Sequence, residues 1–354
     1  MFLQKTMEPR NQYEREILEQ PQVLEQLLVK GRQAAEEAAI AIKKFGPEYV
    51  LIAARGSSDN AARYAQYVLG AHNRLTVALA VPSLFTLYES PPKLSRALTI
   101  GISQSGQSPD IVSVLIETRK QGGATLAVTN EPASPLSQTS DHTLPLLAGQ
   151  EKAVAATKTY TTELFALAML SAALEGNPER WTQLARVPGW VSEVIEKNSD
   201  LSAQAARFKN AQRLVVLGRG FNYSTAFEVA LKLKETSYFV AEPYSVADLL
   251  HGPVAMIDNG FPVILVAPSG RTQADLPALL SLLEQRGAEV LALSDNPEVL
   301  ARAQSRIELP AGMPEWLSPI VSVVPGQLFA GALAVAAGHN PDAPRGLSKV
   351  TMTR

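Results

Sequence analysis

Two short stretches of this chain carry residue types able to do chemistry together. The first is Ser103-Gln104-Ser105-Gly106-Gln107-Ser108, set between the apolar runs 97–102 and 111–116. Ser108 suits the N-cap of a helix and Pro109 suits its first position. A helix N-terminus offers unpaired N–H groups and the positive end of a dipole, which favour an anion. Gly106 lets the backbone approach closely. Ser103, Gln104, Ser105 and Ser108 add neutral donors, with no Lys or Arg in the loop. That is the chemistry of a phosphate seat, although Ser, Gly and Pro also make ordinary strand-to-helix turns. The loop lacks the Gly-Lys-Ser/Thr of a Walker loop. In GRGFNY (218–223) Tyr223 takes the place of the third glycine of a dinucleotide fingerprint.

The second stretch is Glu228, Lys232 and Glu235, spaced i, i+4 and i+7 on one helix face. A base held on a rigid helix beside a cation can be positioned and tuned. A solvated salt-bridge ladder has the same spacing. His251, before Gly252-Pro253, and Lys349, in the polar tail, read by themselves as a structural histidine and a surface lysine.

Both stretches belong to a repeat. YVLIAARGSSDNAARYAQYVL (49–69) parallels RLVVLGRGFNYSTAFEVALKL (213–233). Arg55 and Arg219 lie 164 residues apart, as do Ser105 and Ser269. LAVTNEP (126–132) and LALSDNP (291–297) are offset by 165. Each half alternates aliphatic strands, near 49–54, 97–102 and 125–129 and near 213–217, 263–267 and 290–294, with amphipathic helices. That pattern predicts βαβ units, a parallel sheet covered on both faces, and ligands at the strands' carboxyl ends. Of the two Ser-Gly loops, only the first keeps Ser-x-Ser-Gly, so if only one seat is retained it is the first. An N-terminal helical arm is expected over 1–45, a first domain over 46–190, a second over 191–340 and a tail over 341–354, with connecting helices in 176–210.

Composition bounds the function. With 46% hydrophobic and 19% charged residues the 354-residue chain has ample core. A net charge of -2 gives no basic field for nucleic acid. No run is read as a membrane span, the N-terminus lacks the apolar core of a signal peptide, and the expected location is the cytoplasm. There is no cysteine, so disulfides and thiolate chemistry are excluded. The four histidines show no metal spacing, so no metal is expected.

The ISQSG loop (102–106), the repeat, and the segments AVAATKTYTTEL (153–164), ALKLKE (230–235), AEPYSVADLLHGP (241–253) and PRGLSK (344–349) resemble the sugar isomerase (SIS) domain family. The likeness is greatest to the isomerase half of glutamine:fructose-6-phosphate aminotransferases. It implies an α/β fold of two tandem SIS domains, each a doubly wound, flavodoxin-like parallel sheet. It implies a sugar phosphate held by Ser58, Ser103, Gln104, Ser105, Ser108, Val154 and Ser348. Glu235 would move a proton between C1 and C2, with Lys232 in the same catalytic environment. Lys349 would form a Schiff base with the open-chain ketose, a step that calls for burial of the tail. His251 would help open the ring, reaching across the interface of a homodimer whose active site is shared. No organic cofactor is implied. Ala156 and Leu250 stand where the family's synthases have a serine and a lysine, so substrate specificity is expected to differ there.

The synthases also carry a glutaminase domain with a cysteine nucleophile. This chain begins Met-Phe and has no cysteine, so the reverse reaction is expected: an amino-sugar 6-phosphate deaminase/isomerase. The alternatives are an ammonia-dependent synthase, a fructosamine-6-phosphate deglycase, or a sensor that binds a sugar phosphate without chemistry.

Overall fold

The computed structural model describes residues 9–349. The portions of the expected arm and tail at 1–8 and 350–354 lie outside the described residues. The repeat in sequence is a repeat in space. The first sheet contains β1 (Tyr49–Ala53), β2 (Val77–Leu79), β3 (Ala97–Ile102), β4 (Ala124–Thr129) and β5 (His142–Pro145), in the order β2-β1-β3-β4-β5. The second contains β6 (Arg213–Gly218), β7 (Val240–Ser245), β8 (Pro262–Val266), β9 (Glu289–Ser294) and β10 (Ser305–Glu308), in the order β10-β9-β8-β6-β7. Adding five to each label of the first sheet reproduces the second. Every pairing is parallel, as βαβ crossovers require.

The central strand β3 is buried along its whole length, and the runs of Val, Leu, Ile and Ala that compose the inner strands follow from burial on both faces. Short edge strands escaped the sequence pattern. β2 has three residues, and β7 carries Glu242 and Pro243.

Three groups of helices pack with the two sheets. Helices Gln12–Leu18 and Gln20–Phe45 lie along the molecule, with Pro21 in the first turn of the second, and bury Leu24, Leu27, Ala35 and Ala38 in the largest core cluster. Helices Pro178–Leu184, Val187–Lys197 and Ser202–Phe208 join the halves. Helices Lys158–Glu175 and Ser318–Ala336 run through the middle. The window Glu315–Ala336 has a mean hydropathy of 1.7, long and apolar enough for a membrane span by length and composition. This corrects the expectation that no run has that character. The window is 83% buried inside the fold, so its apolarity reflects packing on all sides rather than lipid exposure.

Candidate active site

At the carboxyl ends of β1 and β3 the chain opens into a cleft of about 350 Å³, within the range of small-molecule sites. Ser58, Ser103, Gln104, Ser105, Ser108, Val154, Glu235, Ser348 and Lys349, each singled out in the sequence, line it together. Lys232 lies beneath its floor. The structure does not bring His251 to this cleft within one chain: it is an exposed residue ending the short helix Val246–Leu250.

The serine loop is a tight turn that lines the cleft at the start of helix Pro109–Lys120. Gly106 adopts φ 61°, and a Cβ there would lie 2.2 Å from the Ser134 hydroxyl oxygen, so conformation and space both require glycine. Ser108 occupies the N-cap of helix Pro109–Lys120, but its hydroxyl makes no capping hydrogen bond. Arg55 is a cation beside this loop. It lines the cleft from the turn after β1 and is oriented by the buried Asp110, with N···O distances of 2.8 and 2.9 Å. The equivalent loop of the second half is closed by the chain's own carboxylates. Asp295 accepts from Ser269 N–H at 2.6 Å, and Glu315 accepts from Arg271 N–H at 3.0 Å. The Glu315 side chain also fills the space a Cβ on Gly270 would need.

The face Glu228–Lys232–Glu235 is not a solvated ladder. The side chains of Glu228 and Lys232 are fully buried, and that of Glu235 is 22% exposed. Lys232 Nζ lies 2.5 Å from Glu235 and 3.3 Å from Glu228, and donates to the Ser57 hydroxyl at 3.2 Å. Glu228 accepts further hydrogen bonds from Ser57 (2.9 Å) and Asn60 (2.8 Å). Burial opposes the Lys232 charge, but the two carboxylates overcome it and hold its pKa above the ordinary lysine value. Helix Tyr223–Ser237 is thereby tied to the start of helix Ser57–Asn73, and Glu235 alone of the three reaches the cleft.

Lys349 is held by a residue that sequence reasoning missed. Glu151, buried, accepts from Lys349 Nζ at 2.6 Å, from the N–H groups of Thr157 and Thr159, and from the Thr159 hydroxyl. Burial pushes the Glu151 carboxyl up, but the Lys349 ammonium and these N–H groups pull it below the usual value. Lys349 also donates to the Ala153 carbonyl at 2.7 Å. Glu16 of the N-terminal arm clamps the same loop, accepting from Lys152 N–H and Ala153 N–H. So the arm is more than a cover: it fixes the backbone that carries Val154 and anchors the tail.

Glu163 was also missed. Its side chain is buried in the cleft wall, and among the described residues its one hydrogen bond is accepted from the Ser58 hydroxyl at 2.7 Å. Burial, with the charges of Glu228 and Glu151, pushes its pKa up to about 8, against the Ser58 bond and Lys232. The signal in the sequence was only a glutamate in an otherwise apolar helix, TTELFALAML (161–170). A carboxyl with a native pKa raised from 4.5 binds more protons folded than unfolded, so it costs stability as pH rises toward 8. Glu163→Gln removes that cost. Relative to wild type the variant should gain a few kcal/mol on going from about pH 5 to about pH 9. Denaturant melts at the two pH values check it; a constant difference would mean that Glu163 is ionised throughout.

Among the described residues no cluster of His, Asp and Glu has the arrangement of a metal site.

Comparison with known proteins agrees with this architecture. The SIS domain family model matches residues 47–173 and again 207–337. The chain is 35% identical over 349 residues to the glutamine–fructose-6-phosphate aminotransferase (isomerizing) of Thermus thermophilus, covering 95% of this chain and 58% of that one. It is 33% identical over 347 residues to the enzyme of the same name from Pyrococcus horikoshii, covering 95% and 56%. It thus spans little more than half the length of these relatives. The solved C-terminal domain of glucosamine-fructose-6-phosphate aminotransferase from Francisella tularensis superimposes with a TM-score of 0.86 at 27% identity, covering 95% of this chain and 98% of that one.

Proposed function

The chain belongs to the SIS domain family, and on that premise we propose that it is a sugar-phosphate isomerase acting on an amino-sugar 6-phosphate, releasing ammonia and the ketose phosphate. The observation that carries this reading is that the serine seat, Glu235 and Lys349 line one cleft. The similarity to glutamine–fructose-6-phosphate aminotransferases supports glucosamine 6-phosphate and fructose 6-phosphate as the pair interconverted. Synthesis from ammonia uses the same groups in reverse, and those relatives' names favour it as the second reading.

The phosphate sits on the loop 103–108 with Arg55 beside it. In the open-chain amino aldose, Glu235 removes the proton from C2 and delivers it to C1. The aldehyde oxygen takes up a proton and becomes a hydroxyl, while the C2 amine gives up one proton and becomes an imine. Lys232 keeps Glu235 in place and balances its charge. The Lys349 amine then adds to C2, ammonia leaves, and water hydrolyses the lysine imine to the ketose. Before this step the ion pair with Glu151 must open, because an ammonium is not a nucleophile. His251, exposed on its own chain beside the half-exposed Leu250, is assigned to ring opening in the cleft of a second copy, in a homodimer. The expected compartment is the cytoplasm, and no cofactor takes part.

The test is release of ammonia and fructose 6-phosphate from glucosamine 6-phosphate. Wild type should release both in equal amounts, and Lys349→Ala should release neither. Ser105→Asp, which sets a carboxylate against the phosphate, should lose binding of the sugar phosphate. Binding by wild type without release points to a different aminated sugar or to a sensor; unchanged affinity in Ser105→Asp removes the seat.

A further inference from the structure

The chemistry above makes no use of Glu163. Its side chain is 1% exposed, yet it belongs to the cleft wall. Its Oε1 is joined to Ser58, a residue facing the sugar site. Its Oε2 is buried and has no hydrogen-bond partner among the described residues. Charged and titratable groups surround it on every side. Tyr160, on its own helix, has a buried hydroxyl that interacts with Ser224 and Glu228. Glu228 and Lys232 face it from helix Tyr223–Ser237, and Glu151, bearing Lys349, faces it from the loop before its helix. Glu235 and Arg55 share the cleft. A buried carboxylate is ordinarily held by several hydrogen bonds, and this one has a single hydroxyl.

We propose that Glu163 is a positioning residue that selects an amine-bearing sugar phosphate by setting the hydrogen-bond polarity of Ser58. When Glu163 is neutral, its acid hydroxyl donates to Ser58 Oγ, and the Ser58 O–H is left to donate toward the cleft. When Glu163 is ionised, Ser58 donates to Oε1 and turns its lone pairs toward the cleft. A sugar hydroxyl satisfies either arrangement, because it both donates and accepts. A substrate ammonium only donates, so it is favoured by the second, which leaves both Ser58 lone pairs free, whereas in the first the acid hydroxyl takes one of them and the Ser58 hydrogen competes for the cleft. Binding an ammonium therefore draws the proton off Glu163 into solvent, the Ser58 hydrogen reverses, and no covalent bond changes. The carboxyl's raised pKa, about 8, means that the proton is there to be released near neutrality.

Ser58 discriminates in this way only if a sugar phosphate occupies the cleft, as proposed above. The test therefore uses two reduced probes that bind without turnover: 2-amino-2-deoxyglucitol 6-phosphate and glucitol 6-phosphate. Calorimetry near neutral pH, in buffers of different ionisation heat, counts protons exchanged on binding. With wild type the amine probe should release up to about one proton more than the hydroxyl probe. In Glu163→Gln that excess should vanish, and the preference for the amine probe should fall by about tenfold, the scale of a charge-assisted hydrogen bond. Ser58→Ala keeps the carboxyl but breaks the link, and should lose the excess release too. Unchanged release and preference in Glu163→Gln overturn the proposal, and if that variant does not fold, unchanged release in Ser58→Ala does so. Binding of neither probe by folded wild type defeats the sugar-phosphate reading itself, a result distinct from loss of the proton signal alone.

Discussion

Glu235→Gln should lower the rate of ammonia release by about a thousandfold while leaving sugar-phosphate affinity nearly unchanged, within the range for removing a general base. Glutamine has the same shape and can still face Lys232, so the cleft should keep its form. What is lost is the ability to take the C2 proton. Single-turnover rates and equilibrium binding measured on the same preparation check this. A variant that keeps wild-type turnover would transfer the base role to another group, and Glu163 is the other carboxyl lining the cleft. The two are told apart because Glu163 is fully buried and bonded to Ser58, whereas Glu235 is 22% exposed.

Lys232→Met should be the most damaging single change to the fold. It leaves the fully buried Glu228 and the adjacent Glu235 without their shared cation. Removing one partner of a buried ion pair costs about 3–5 kcal/mol. The cost should depend on pH in a definite sense. Without Lys232, the Glu228 carboxyl, which burial already raises, moves further above its unfolded value. A raised carboxyl binds more protons in the native state, so the variant should be least affected in acid and lose stability as pH rises. Urea melts from about pH 5 to about pH 8 measure it. A destabilisation that does not change with pH would show that the two carboxylates share a proton in wild type as well.

Which of these residues were legible in the sequence follows from the range of the interactions. The inner strands were visible because a parallel strand buried on both faces is written as a local run of Val, Leu, Ile and Ala. β3 (97–102) was located without error, and β4 and β8 to within one residue. The serine loop was visible because glycine, N-cap and proline follow one another in the chain. The edge strands β2 and β7 were not, since a short strand paired on one side needs no apolar signature. The expectation that no run resembles a membrane span failed on composition itself, because the run containing helix Ser318–Ala336 is apolar enough; what only the fold shows is that protein covers it.

By itself the sequence determined the repeat, the parallel α/β class, the serine loop of the first half, and the spacing of Glu228, Lys232 and Glu235 on one helix face. Tertiary structure alone decided that this face is buried rather than solvated, because burial depends on which helix packs over it. It alone decided that Asp295 and Glu315 close the second half's loop, that Glu151 captures Lys349 across 198 residues, and that Glu163 lies behind Ser58. The physical reason is common to all of them. A carboxyl's partner and its cost of ionisation are set by neighbours distant in sequence, and a single residue letter records neither.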